Sequence, residues 1–143
     1  YIDYEECSVM DLFAGTGAVS LEFISRGVKE VTSVDINAQC VDYIKSAAQQ
    51  FGVKNIHVVR ADCFDLLKRA NRKFDIVFAD PPYALQDLPL LPDLVFSNDI
   101  LSDDGIFILE HPKEYSFEDH PQFWQHRIYG KVNFTFFAKQ MEE

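Results

Sequence analysis

Ser8-Val9-Met10-Asp11-Leu12-Phe13-Ala14-Gly15-Thr16-Gly17-Ala18 reads as a short apolar strand running into a glycine-rich turn. Behind the turn, Ala18, Leu21, Phe23 and Ile24 fall near helical spacing, and Arg26-Gly27 supplies a closing cation and glycine. The alternation continues. Val31–Val34 is a second strand ending at Asp35, and Asn37 caps a helix whose apolar face is Val41, Ile44, Ala48 and Phe51, stopped by Gly52. Ile56–Val59 is a third strand, followed by Asp62 and a short helix holding Phe64, Leu66 and Leu67. Phe74–Ala79 is a fourth strand that runs into Asp80-Pro81-Pro82-Tyr83. A helix is expected over Leu88–Ser97 with Pro89 or Pro92 in its first turn, then a fifth strand over Gly105–Glu110. The ending differs in kind: Arg127–Tyr129 and Val132–Phe137 flank Gly130-Lys131 as a hairpin. Strands alternating with helices require right-handed crossovers and a parallel sheet covered on both faces. The expected fold is α/β, a three-layer sandwich whose mostly parallel seven-stranded sheet ends in an antiparallel hairpin.

Composition sets the frame. The 143 residues are 48% hydrophobic and 25% charged, enough for one packed domain and unlike a disordered tail or a disulfide scaffold. No apolar run approaches the roughly 20 residues of a membrane-spanning helix. The start, Tyr1-Ile2-Asp3-Tyr4-Glu5-Glu6, lacks the order of a signal peptide, so a cytoplasmic, non-membrane protein is expected; a monomer is expected as well. Cys7, Cys40 and Cys63, and His57, His111, His120 and His126, lack metal-site spacing; no metal is expected. The net charge of −10 argues against a nucleic-acid partner, because phosphate neutralisation normally needs a basic footprint. Lys45, Lys54, Lys68, Arg69, Arg72 and Lys73 are candidates for a locally basic face, although solvated helix ends account for them equally.

In an open parallel sheet, ligands bind beyond the carboxyl ends of the strands. There the distinctive residues gather: Gly15 and Gly17 after the first strand, Asp35 after the second, Asp62 after the third, and Asp80–Tyr83 after the fourth. The turn is no phosphate loop, since Gly17-Ala18-Val19 lacks Gly-Lys-Ser/Thr, and Ser20 replaces the third glycine of a dinucleotide fingerprint. Asp11 would repel a pyrophosphate but accepts hydrogen bonds from an ammonium group, which favours S-adenosylmethionine. Asp35 follows Gly17 by 18 residues, near the roughly 20 at which an acid reaches a ribose diol. Ile36 offers adenine an apolar wall, and Asp62 an acceptor for its amino group. An N-cap or a solvated turn accounts for either acid taken singly. The two prolines fix the backbone and remove donors, presenting Asp80 and the Pro81 carbonyl as acceptors for an exocyclic amine, while Tyr83 stacks on its ring.

Asp11-Leu12-Phe13-Ala14-Gly15-Thr16-Gly17-Ala18 with Ser25-Arg26-Gly27, and Phe74–Ala79 followed by Asp80-Pro81-Pro82-Tyr83, resemble the bacterial guanine-N2 methyltransferases of small-subunit ribosomal RNA, often labelled N6-adenine-specific methylases. The resemblance implies S-adenosylmethionine as cofactor and ribosomal RNA or the small ribosomal subunit as partner. It implies that Asp11 and the turn Phe13-Ala14-Gly15-Thr16-Gly17 hold the methionine end, Asp35 and Ile36 the ribose and adenine wall, and Asp62 with Cys63 the adenine edge. Asp80, Pro81, Pro82 and Tyr83 would hold the target base, with Asp80 also beside the cofactor. Members carry a basic segment and a helix before the first strand, so residues 1–143 are expected to be one methyltransferase domain truncated at its N-terminus. Three alternatives remain open: a DNA adenine-N6 methyltransferase, a nicotinamide oxidoreductase, and a cofactor-binding domain without activity. Protein-glutamine methylation fits less well, because its motif has Asn where this chain has Asp80.

Overall fold

A computed structural model describes residues 3–139. After a short 3-10 turn at Tyr4–Glu6 come β1 (Ser8–Leu12), α1 (Ala18–Ser25), β2 (Glu30–Asp35), α2 (Ala38–Gln50), β3 (Ile56–Arg60), α3 (Cys63–Arg69), β4 (Phe74–Ala79), α4 (Leu91–Ser97), β5 (Leu101–His111), β6 (Phe123–Tyr129) and β7 (Val132–Ala138). The seven strands form one sheet in the order β3-β2-β1-β4-β5-β7-β6. The first five are parallel, and the β6–β7 hairpin adds two antiparallel strands beside β5.

Strand alternation divides the core. Met10 and Leu12 face the side covered by α3 and α4, where Leu67, Leu91 and Val95 are fully buried. Val9, Val31 and Ile76 face Phe23 and Ile24 of α1. Each fully buried Leu or Val contributes about 1.5–3 kcal/mol by leaving water. The expectation of two covered faces holds only in part: on the α1 side of β5 and β7, Ile108, Phe134 and Phe136 stay partly exposed.

Three boundaries differ from the sequence reading. Leu88–Leu90 is 3-10, and the α-helix begins only at Leu91, with a proline near the start of each. β5 begins four residues early, at Leu101, which pairs with Phe74, and the register then shifts so that Ile106 pairs with Ile76. Gly105 permits this: a Cβ there would lie 3.0 Å from the Ser102 carbonyl oxygen and 3.1 Å from that of Phe74. β6 begins at Phe123, four residues before the expected Arg127, with an irregularity between Phe123 and Gln125 that leaves Trp124 outside.

Candidate active site

The first crossover turn is built tightly. Ala14 N–H donates to the Val34 carbonyl and Gly17 N–H to that of Ala14, both at 2.9 Å. Gly17 has φ +83° and a Cβ on it would meet Ile44 Cγ1 at 2.9 Å, so both backbone and packing require glycine. Asp35, at the end of β2, joins two elements. Its Oδ2 accepts from Gly15 N–H and its Oδ1 from Asn37 N–H, each at 2.9 Å. Asn37 in turn caps α2 through Gln39 and Cys40 N–H. Asp62 caps α3, its Oδ1 accepting from Phe64 and Asp65 N–H.

These strand ends surround a cavity of about 610 Å³, a size that suits a small-molecule cofactor. Phe13, Gly15, Asp35, Ile36, Asp62, Cys63 and Asp80–Tyr83 line it, and the sequence reading missed two further wall residues, Phe64 and Leu85. Phe64 meets Phe13 edge to face with ring centroids 6.3 Å apart. Cys63 is buried, and burial pushes its thiol up to about 12; it packs and does not act as a nucleophile. Tyr83 is half-exposed at the lip, its ring available for stacking.

Four residues of the expected cofactor set lie off the cavity wall: Asp11, Ala14, Thr16 and Gly17. The pleat explains Asp11. It shares the α1 side with Val9, fully buried, and its Oδ2 accepts from Ser20 Oγ at 2.6 Å. Burial raises its carboxyl to about 7, opposed by the Ser20 hydrogen bonds and reinforced by the charges of Asp80 and Asp35. Asp11 thus lies beneath the turn as a buried, electrostatically coupled support. Gly17 is buried against Ile44 and Thr16 points to solvent.

Glu110 was missed. Parallel pairing of Ala79 with Leu109 brings Asp80 and Glu110 side by side at the ends of β4 and β5. Their carboxyl groups are neighbours, and Tyr83 Oη donates to Glu110 Oε2 at 3.5 Å. Burial, then Asp80, raises the Glu110 carboxyl to about 7. The available signal was a carboxylate closing the fifth strand beside the one that opens Asp80–Tyr83.

Among the described residues, the cavity wall carries three carboxylates, Asp35, Asp62 and Asp80, and no Lys or Arg. Glu110 stands beside Asp80, Asp11 lies beneath, and Arg60 is turned onto the Ile36 carbonyl. Such a donor-poor wall suits a ligand that is positively charged and rich in N–H and O–H groups, and it disfavours phosphates. The ammonium, sulfonium, ribose hydroxyls and adenine amine of S-adenosylmethionine fit that description. The expected basic cluster stands elsewhere. α3 starts at the cavity and runs back against the strands, carrying Lys68 and Arg69 to the far end, while Arg72 pairs with Glu30 and Lys73 with Asp99. Among the described residues no group of three or more His, Cys, Asp or Glu is placed to hold a metal ion, and no helix is long and apolar enough to cross a membrane.

This strand order, with a glycine turn, three strand-end acids and Asp-Pro-Pro-Tyr around one cavity, defines the fold of the Rossmann-like, S-adenosylmethionine-dependent methyltransferases. A crystal structure from Haemophilus influenzae shares it with a TM-score of 0.85 at 22% identity, over 94% of this chain and 88% of that one. The chain belongs to the family described as conserved hypothetical protein 95, whose pattern matches residues 2–138. Ribosomal RNA small subunit methyltransferase D of Buchnera aphidicola subsp. Baizongia pistaciae is 30% identical over 101 residues, 71% of this chain and 52% of the relative. The protein of the same name from Haemophilus influenzae is 28% identical over 118 residues, 80% of this chain and 60% of the relative. The chain therefore spans about half to three fifths of the length of these curated relatives.

Proposed function

We propose that this chain transfers the methyl group of S-adenosylmethionine to the exocyclic amine of a nucleobase, guanine N2 of small-subunit ribosomal RNA. The observation that carries the reading is the juxtaposition, on one cavity, of Asp35 and Asp62 with Asp80, Pro81 and the half-exposed Tyr83 ring. Support for the ribosomal substrate comes from the names of the two relatives and from the resemblance of the quoted stretches.

When bound, the cofactor supplies an electrophilic methyl group on a positively charged sulfur. The chain's own residues do the rest. Asp35 would hold the ribose diol, Ile36 and Phe64 would wall the adenine, and Asp62 would accept from its edge, all four residues lining the cavity. Asp11 supports the turn from below, buried and hydrogen-bonded to Ser20. At the other end, Tyr83 stacks on the target base, and Asp80 with the Pro81 carbonyl accepts the amine's two N–H groups. An amine conjugated to a base is a poor nucleophile, and this fixes its lone pair toward the methyl group. Asp80 also stabilises the positive charge that grows on nitrogen during transfer. No covalent nucleophile on the protein is needed.

Incubating the chain with labelled cofactor and, separately, small ribosomal subunits, duplex DNA and release-factor peptides tests the reading. Label is expected in the ribosomal RNA as N2-methylguanine. Label confined to DNA or peptide, or saturable cofactor binding with no transfer to any of the three, would overturn it.

A further inference from the structure

We propose that Glu110 is a positioning residue for the transfer step: it shares a proton with Asp80, and loss of that proton gives Asp80 its full charge toward the reacting amine. This rests on the function proposed above, in which Asp80 faces that amine.

The geometry comes from the sheet. Ala79 and Leu109 are partners across β4 and β5, so the next residues leave the sheet together. Their carboxyl groups are thereby neighbours, and two neighbouring carboxyls repel unless one keeps its proton. Tyr83 Oη reaches the Oε2 of Glu110, so the residue that stacks on the base also anchors the pair. From β7, on its other side, Glu110 faces Phe134, which carries no charge. Its neighbour His111 points into the sheet interior, bonded to the Pro112 carbonyl and to Thr135. Asp80 and Tyr83 are thus the titratable groups that Glu110 meets. A half-buried carboxyl between an acid and a phenol releases its proton near neutrality, at about 7.

The step balances. The amine lone pair forms the N–C bond while the C–S bond breaks, its electron pair passing to sulfur. Nitrogen becomes positive and gives a proton to the ionised Asp80–Glu110 pair, which returns to its singly protonated form. Asp80 is exposed, so that proton exchanges with water before the next turnover. With both acids ionised, the site holds one more negative charge beside the growing positive charge.

Two measurements on the 143-residue chain test this. In the first, the side-chain carboxyl carbon of Glu110 is followed by NMR in uniformly carbon-13-labelled protein. A midpoint near 7 is expected, falling in Asp80→Asn yet staying above the ordinary glutamate range, because burial is the larger cause. In the second, methyl transfer to small ribosomal subunits is recorded against pH. A rise of roughly tenfold from about pH 6 to about pH 8 is expected for the native chain, while Glu110→Gln stays at the lower level without a rise. A Glu110 midpoint in the ordinary range, or a Gln variant that still rises, overturns the role of Glu110 alone. The expected titration without transfer to any substrate overturns the proposed function and this role together.

Discussion

Gly15 donates its backbone N–H to Asp35 Oδ2 at 2.9 Å, so the acid at the end of β2 holds the glycine turn at the end of β1. The same carboxylate accepts from Asn37, which caps α2. Asp35 is a structural fastener of the rim as well as the residue placed to face a ribose. Replacement by Ala removes two charge-assisted hydrogen bonds. Because both donors are partly or well exposed, the chain is expected to fold, while cofactor affinity falls about tenfold or more, roughly 1.5–3 kcal/mol. Calorimetric titration with S-adenosylmethionine measures this; unchanged affinity would remove Asp35 from the site.

Asp80 and Tyr83 separate chemistry from binding. Asp80→Ala is expected to leave cofactor affinity near native and lower transfer by at least about tenfold, roughly 1.4 kcal/mol of barrier. Tyr83→Phe keeps the ring and should hold nucleic-acid affinity close to native. Tyr83→Ala loses the stacking surface, worth roughly 1–3 kcal/mol. Substrate binding and single-turnover rates of the three variants distinguish these effects, and equal affinities for Phe and Ala would end the stacking argument.

Gly105 tests the fold independently of function. The atoms around its missing Cβ are carbonyl oxygens of β4 and β5, at 3.0–3.2 Å, which cannot rotate away as a side chain can. Gly105→Ala is expected to cost about 1–3 kcal/mol, read from urea unfolding, by parting the start of the β4–β5 pair. A neutral outcome would mean that the strands separate freely there.

Asp11 makes stability depend on pH. Its carboxyl titrates at about 7 when folded, against 3.8 ordinarily, because burial disfavours the charge. The native state therefore holds a proton that the unfolded chain has released throughout that window. Stability is full below about pH 4 as far as this group is concerned, and falls as pH rises toward and through 7. Glu110 adds a dependence of the same sign, from its ordinary 4.5 to about 7. Melting temperatures across the window should decline more steeply in the native chain than in Asp11→Asn. Parallel curves would show that Asp11 is ionised in the folded state.

The order of strands and helices was readable because each carboxyl end carries a local sign: Gly15–Gly17, Asp35 before the Asn37 cap, Asp62, and Asp80-Pro81-Pro82-Tyr83. Glu110 was not, since its meaning depends on pairing with a strand some thirty residues earlier. Asp11 was recognised as unusual, but its direction follows from which face of β1 meets α1, a tertiary fact. Gly105 was read as the first residue of the fifth strand, and only the pairing of Leu101 with Phe74 shows that the strand starts earlier. The hairpin was recognised by its Gly130-Lys131 turn, whereas the irregularity at Phe123–Gln125 hid where β6 starts.

Phe13 adopts φ +59°, a left-handed backbone that costs a side-chain-bearing residue roughly 1 kcal/mol or more. Glycine would adopt it freely, yet glycine could not furnish the ring that meets Phe64 across the cavity wall. Conformational ease and contour oppose each other at this position, and the chain keeps the contour. Phe13→Gly should relax the bend and leave the adenine end of the cavity ill-shaped, so a more comfortable main chain would make a poorer receptacle.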